Sequence, residues 1–384
     1  MLYAPCATRN PKHATRNPQP ATRNMKSADA LMRQAITEGV FPGGVLLVAV
    51  KDSIKFQRAY GMANIYTEAP VTVETVFDLA SLTKPLATTL AVMKLIQDCR
   101  LTLDQPLGSV LDWFRHTDKE TITVSQLLRH TAGLPDYYPF YIELNRLPVE
   151  KRMAALRNQL IRLPLQHPIG QKELYSDPGF IILGMLVEGI CRKRLDHFLE
   201  EVVYRPLGLG LESGPMLGFV DLTDPVHFKQ VAATEMCPWR KRIMEGAVHD
   251  DNAYAVGGVA GHAGLFGNAR GVQTLAGAIL SAHTGRAVEP IFSQDLIQAF
   301  FRRKDNAHRP LGFDSPAAQD ASCGDYFSKD SVGHLGFTGT SFWIDLEKEI
   351  TVILLTNRIH PSRTNETIKI FRPKLHNAVM EEIR

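Results

Sequence analysis

Ser81-Leu82-Thr83-Lys84 opens the strongest helical pattern in the N-terminal half of the chain, and no other serine has a lysine three residues on. At a spacing of i and i+3 on a helix, hydroxyl and amine share one face, so the ammonium can reach the serine oxygen. Free backbone N–H groups at a helix start also favour developing negative charge. Taken alone the pattern is weak, since two fixed positions in four recur by chance about once in a chain of this length. A capped helix with a surface lysine is the plain alternative. What lies on either side decides between them.

Upstream, residues 44–51 and 54–61 are β-rich runs separated by Asp52-Ser53, a hairpin signal, and residues 28–38 have helical spacing ending at Gly39. Downstream, residues 83–98 read as one amphipathic helix. Helical segments broken by turns follow at 123–129, 149–162, 179–191 and 195–203, then a Gly- and Pro-rich stretch to about Gly264. A helix over 269–282 takes Asn268 as its cap. Strands return at 339–346 and 350–357, and a helix over 366–383 closes the chain. Strands at both ends with helices between predict one sheet built from the two chain ends. The expected division is residues 25–80 and 255–384 as a discontinuous α/β domain, with residues 81–254 as a mainly helical insertion.

Residues 1–24 stand apart. Ala7-Thr8-Arg9-Asn10-Pro11 recurs as Ala14-Thr15-Arg16-Asn17-Pro18 and in part as Ala21-Thr22-Arg23-Asn24, with no apolar positions and with helix-breaking prolines. This reads as a disordered tail, with Met25 a plausible true start. The tail carries Arg9, Lys12, Arg16 and Arg23 and no acid, so the net charge of +3 falls to −1 for the remainder. No basic domain is left, and nucleic-acid binding loses its electrostatic footprint.

In 384 residues, 45% are hydrophobic and 22% charged, which is ample for a folded core. The five cysteines are scattered and never form C-x-x-C, so neither a zinc site nor a disulfide framework follows. Free thiols point to a reducing compartment. The longest apolar runs, 43–50 and 180–187, fall far short of the ~18–20 residues of a membrane span. With no secretory signal at the N-terminus, the expected location is the cytoplasm. The chain also lacks G-x-S-x-G, H-E-x-x-H, a Walker loop and a full G-x-G-x-x-G.

Several further segments appear in order. They are Leu127-Leu128-Arg129-His130-Thr131-Ala132-Gly133-Leu134-Pro135, Tyr175-Ser176-Asp177, Tyr204-Arg205-Pro206-Leu207-Gly208-Leu209, Gly257-Gly258-Val259-Ala260-Gly261 and His334-Leu335-Gly336. With Ser81 and Lys84 they resemble the serine β-lactamases, penicillin-recognising DD-peptidases and related esterases, closest to the class C β-lactamase and esterase branch. The resemblance runs from about Gly39 to Asn357. It implies an α+β fold of the β-lactamase/transpeptidase type, with an antiparallel sheet flanked by helices and an inserted helical domain.

The same resemblance implies roles. Ser81 would be the acylated nucleophile, and Lys84 and Tyr175 the proton-handling pair, with Tyr175 biased toward phenolate by the ammonium. Tyr175 would then be the base for acylation and for activating the deacylating water, while the sequence leaves open which of Lys84 and Tyr175 takes the first proton. Backbone N–H groups of Ser81 and Phe337, the latter on a strand after His334-Leu335-Gly336, would form the oxyanion hole. Gly336 would let substrate approach that strand. Asp177, His334, Leu335 and Gly336 would contact substrate. No metal or organic cofactor is needed, and the partner is a small ester or amide.

Three positions depart from the family pattern. Asp177 stands for asparagine, His334 for lysine and Leu335 for threonine. A permanent cation is thereby exchanged for one titrating near pH 6.5, which weakens the grip on a β-lactam carboxylate. A carboxylesterase is therefore the favoured reading. A weak β-lactamase or D-amino-acid peptidase comes next, and a non-catalytic binding protein on the same fold last. His130 reads as a buried structural histidine, His262 and the 249–252 cluster as loop-fixing polar residues that could line the cleft, Tyr175 in the alternative as a packing residue, and Trp239 and Trp343 as packing residues.

Overall fold

A computed structural model describes residues 25–303 and 309–383; the repeat in residues 1–24 lies outside them. Helix α1 (Lys26–Thr37) leads into a hairpin of β1 (Gly43–Val50) and β2 (Ser53–Asn64), followed by the short β3 (Ala69–Pro70). Near the other end, β4 (Val332–Leu335), β5 (Ser341–Asp345) and β6 (Ile350–Thr356) precede a C-terminal helix. These six strands form one antiparallel sheet in the order β3-β2-β1-β6-β5-β4. The join between the chain ends is the β1–β6 pairing, Gly44 opposite Thr356 through Val50 opposite Ile350.

The apolar run Gly-Gly-Val-Leu-Leu-Val-Ala-Val of β1 follows from helices covering both faces of the sheet. Successive side chains of a strand point to opposite faces. Val45, Leu47 and Ala49 enter the larger core with Leu90, Leu275 and Ile353. Leu46 and Val48 enter a second core with Met32, Val352, Leu375 and Val379. On the first face lies a helix at Ala269–His283 whose first turn Asn268 caps by accepting from Gly271 N–H, while α2 (Thr89–Gln97) adds Leu90 to the same core from among the helices of the middle of the chain. On the second face lie α1 and the C-terminal helix, Ile368–Ile383.

Residues 81–254 carry most of the remaining helices, including Val149–Arg162 and α3 (Asp177–Cys191). They also contribute the strand Leu217–Phe219 to a small sheet with Phe77–Asp78 and Leu265–Gly267. Two expectations need correction. Residues 83–98 are not one helix: a 3₁₀ turn at Ala80–Leu82 is followed by a wide π-type turn at Lys84–Thr88, and regular α-helix begins only at Thr89. Pro85 has no N–H to donate to the preceding turn, which opens the helix just behind Lys84. The other correction concerns His334 and Leu335, which lie within β4 rather than before a strand.

Candidate active site

The turn bearing Ser81 is fastened from several directions. Ala80, immediately before it, has φ +47°, a left-handed conformation that a side-chain-bearing residue keeps only when its surroundings hold it. Asp78 supplies one restraint: its buried carboxylate accepts from Ala80 N–H at 2.9 Å and from His249 N–H at 2.7 Å. The Thr338 hydroxyl donates to Asp78 O at 2.8 Å and that of Thr340 to Leu79 O at 3.2 Å, tying the turn to the β4–β5 connection. Thr83 donates to Ala80 O and accepts from Leu265 N–H.

Lys84 is wholly buried, with Nζ donating to Ser81 Oγ at 3.1 Å and to His262 O at 3.2 Å. An Asp177 carboxylate oxygen stands 2.7 Å from Nζ. Tyr175 and Asp177 are placed by the start of α3. There Ser176 caps the helix by accepting from Gly179 N–H, its hydroxyl donates to Pro135 O, and its N–H donates to His130 Nδ1 at 3.0 Å. The Tyr175 ring lies 4.9 Å from Lys84 Nζ and 4.6 Å from the His130 ring. His130 is the buried structural histidine expected. Burial holds its pKa well below the usual value, with the Arg309 and Lys84 charges acting the same way, so it remains a neutral acceptor.

The charge state of the trio differs from the expectation. Burial works to strip the Lys84 proton, but the adjacent Asp177 carboxylate and the Tyr175 hydroxyl outweigh it, and the Lys84 pKa is raised. Tyr175 is also raised. Burial disfavours its phenolate, the Lys84 charge opposes this, and Asp177 tips the balance upward. The resting site thus holds a lysine ammonium, an aspartate carboxylate and a neutral phenol. The Lys84 ammonium does pull Tyr175 toward phenolate, but burial and the Asp177 charge outweigh that pull.

His334 also departs from the expected titration. It is 3% exposed and its Nδ1–H donates to Leu335 O at 2.8 Å. Burial lowers its pKa below 6.5, Asp314 opposes this and Lys84 reinforces it, so the imidazole is neutral at pH 7. Gly336 is required by the protein itself rather than by approaching substrate. A Cβ there would lie 2.1 Å from Thr340 Oγ1 and 2.8 Å from Leu79 O, where β4 ends against the Ser81 turn. Phe337 falls in the turn after β4 rather than on a strand. Among the described residues no backbone group accepts from either its N–H or that of Ser81.

Two cavities meet at Ser81, Tyr175 and Phe337. The larger, of about 510 Å³, is walled by Tyr137, Asp177, His249, Asp250 and His262. His262 Nε2–H donates to Asp250 at 2.8 Å, and Asp250 also caps the helix Asp251–Ala255, so these residues both line the cleft and fix its loops. The smaller, of about 310 Å³, is walled by His334, Leu335 and Gly336 together with Arg309, Arg358 and Arg372. Trp343 is buried as expected. Trp239 is partly exposed, stacking on Tyr141 and donating Nε1–H to Asp251 at the rim of the larger cavity. Asp78 and the three arginines carried no sequence motif, although Asp78 stands three residues before the serine.

The Beta-lactamase family model matches residues 28–372, and the chain belongs to that family. It is a serine hydrolase with the β-lactamase/transpeptidase-like fold. A "Putative D-alanyl-D-alanine carboxypeptidase" of Escherichia coli (strain K12) is 31% identical over 362 residues, covering 86% of this chain and 82% of that protein. An "N-acetylmuramyl-L-alanine amidase" of Bacillus subtilis (strain 168) is 31% identical over 366 residues, covering 86% and 80%. Among solved structures, EstCE1, described as a hydrolase with promiscuous acyltransferase activity, superposes with a TM-score of 0.72 at 22% identity, covering 92% of this chain and 98% of its own. The octameric penicillin-binding protein homologue from Pyrococcus abyssi superposes at 0.69 with 18% identity, covering 92% and 76%. No helix among the described residues is long and apolar enough to cross a membrane.

Proposed function

We propose that the chain cleaves a small ester or amide through an acyl-enzyme on Ser81. The observation that carries this is the buried Lys84 ammonium within 3.1 Å of Ser81 Oγ, backed by the Asp177 carboxylate. Ser81 Oγ attacks the substrate carbonyl, and its proton passes into the Lys84–Tyr175 pair. The N–H groups of Ser81 and Phe337 receive the oxyanion, and the proton is returned to the leaving group. Water then repeats the sequence in reverse roles. Because the resting site holds ammonium and phenol, one proton leaves or shifts within the Lys84–Asp177–Tyr175 set before either residue acts as base.

A carboxylesterase is the simplest activity of this geometry. The neutral His334 and apolar Leu335 beside Ser81 support it, as they remove the lysine and threonine that grip a β-lactam. An amide substrate, as in a D-amino-acid peptidase, is the second reading. It is favoured by the names of the curated relatives, a carboxypeptidase and an amidase. The four described cysteines are free, which supports a cytoplasmic location.

The test uses p-nitrophenyl esters, a chromogenic cephalosporin and N-acyl dipeptides, with mass spectrometry for the adduct. Turnover and adduct lost in Ser81→Ala are expected. Undiminished turnover in that variant overturns the assignment of the nucleophile.

A further inference from the structure

The N–H groups of Ser81 and Phe337 come from two turns remote in the chain. Ser81 lies in the 3₁₀ turn, and Phe337 between the end of β4 at Leu335 and the start of β5 at Ser341, so sheet pairing orients neither amide. Two donors serve one oxyanion only if both stand within about 2.7–3.1 Å of the place where it forms. Contacts outside the sheet must therefore fix their spacing.

Asp78 reaches both turns. One carboxylate oxygen accepts from the N–H of Ala80, the residue before Ser81, and its main-chain oxygen accepts from the hydroxyl of Thr338, the residue after Phe337. The other carboxylate oxygen accepts from His249 N–H at 2.7 Å. The His249 ring in turn stacks on that of Phe337, with centroids 5.8 Å apart and planes inclined by 17°. Glu235 fixes this imidazole, accepting from His249 Nε2–H at 3.0 Å while it also accepts from Arg363. Arg358 holds Phe337 as well: its guanidinium lies 4.7 Å from the ring centroid, its Nε–H donates to Phe337 O at 2.9 Å, and its main-chain N–H donates to Thr338 O at 3.0 Å.

A phenylalanine left 47% exposed gains little from the core, so its ring is kept in place by what presses against it. Asp78 is 2% exposed, and a buried carboxylate is costly unless both oxygens are bonded. An amide could not replace it, since it offers one acceptor oxygen and a donor where two N–H groups must be accepted. We propose that Asp78 and His249 are positioning residues for the oxyanion hole. Asp78 sets the spacing of the Ser81 and Phe337 N–H groups through Ala80, Thr338 and His249, and the His249 ring holds Phe337 against that frame. The proposal rests on the acyl-enzyme reading of Ser81.

The test measures p-nitrophenyl acetate hydrolysis and its inhibition by phenylboronic acid, whose tetrahedral adduct with a serine oxygen places an oxygen where the oxyanion forms. Asp78→Asn is expected to lower kcat about 10–100-fold with KM within about twofold, and to weaken phenylboronic acid by a similar factor. His249→Ala should act in the same direction, and His249→Phe, which keeps a ring against Phe337, should recover part of the loss. A fraction of unfolded protein lowers the rate without changing the inhibition constant of the folded remainder, so weaker inhibition reads the geometry of the hole. Unchanged phenylboronic acid affinity in Asp78→Asn and His249→Ala overturns the proposal, as does a rise in KM with kcat intact. Equal impairment of the two His249 variants overturns the role given to the ring. Where Asp78→Asn does not fold, His249→Ala decides. If Ser81→Ala still turns over the ester and binds phenylboronic acid as wild type does, the acyl-enzyme reading fails and the proposal falls with it; if Ser81→Ala loses both while the other variants lose neither, the proposal alone fails.

Discussion

Replacing Asp177 by asparagine should move the rising limb of the pH–rate profile to lower pH. The Lys84 ammonium lies 2.7 Å from an Asp177 oxygen. At an effective dielectric of about 20, the gross attraction at that separation is roughly 6 kcal/mol. The net effect of one adjacent opposite charge on a pKa is smaller, about 1–3 units, because burial and hydrogen bonding act in parallel. Asp177 raises both Lys84 and Tyr175. Asparagine keeps the shape and removes the charge, leaving burial to pull Lys84 down and the ammonium to pull Tyr175 down. Whichever group accepts the Ser81 proton, its basic form is then populated at lower pH. The expected displacement is about 1–3 pH units, or about 1.4–4 kcal/mol. The assay is kcat/KM for a p-nitrophenyl ester between pH 5 and 10, corrected for spontaneous hydrolysis. A limb that stays in place or moves to higher pH refutes the reasoning. A uniform loss of rate with an unchanged profile would mean that Asp177 positions substrate or α3 without setting the charge state.

His334→Asn should leave the pH–rate profile between pH 6.5 and 8 unchanged, since a histidine lowered by burial is already neutral there; a limb that disappears from that window would show that it titrates in the working range. Gly336→Ala places a methyl 2.1 Å from Thr340 Oγ1. Denaturant unfolding should show a loss of about 1–3 kcal/mol with a fall in kcat, and an unaltered protein would contradict the packing of β4 against the Ser81 turn. Glu235 adds a stability test. Burial acts to raise its pKa, but His249 and Arg363 overcome this and hold it at about 2. Its folded value is depressed, so its contribution is full above the ordinary carboxylate pKa of about 4.3 and is lost as pH falls from there toward about 2. Arg363→Met should flatten melting temperature against pH over that window, and an unchanged slope would exclude the pair as its source.

Much of the architecture was legible because it is written in local pattern. The apolar run at 43–50, the turn after it and the strand expected at 350–357 identify a sheet made from both chain ends, as β1 and β6 show. Asn268 and the helix over Val149–Arg162 were placed closely, since caps and helical periodicity depend on near neighbours. The break at Pro85 was missed because the amphipathic pattern runs through it, while the missing N–H widens the turn. Strand β4 was missed because Gly333 interrupts a run of only four residues. Asp78, Arg358 and Arg372 left no signal, because each is fixed in part by a backbone group well removed in the chain.

By itself the sequence determined which side chains are available for chemistry and that Ser81 and Lys84 face the same way, because a spacing of three on a helical turn is a local fact. Only the tertiary structure decided their state. The Lys84 proton depends on complete burial set against a carboxylate that begins another helix. The neutrality of His334 depends on packing around β4, and the positive wall beside Ser81 is assembled from two segments near the C-terminus. Charge state follows from dielectric surroundings and from distances between remote residues, and neither is encoded in the spacing of a motif.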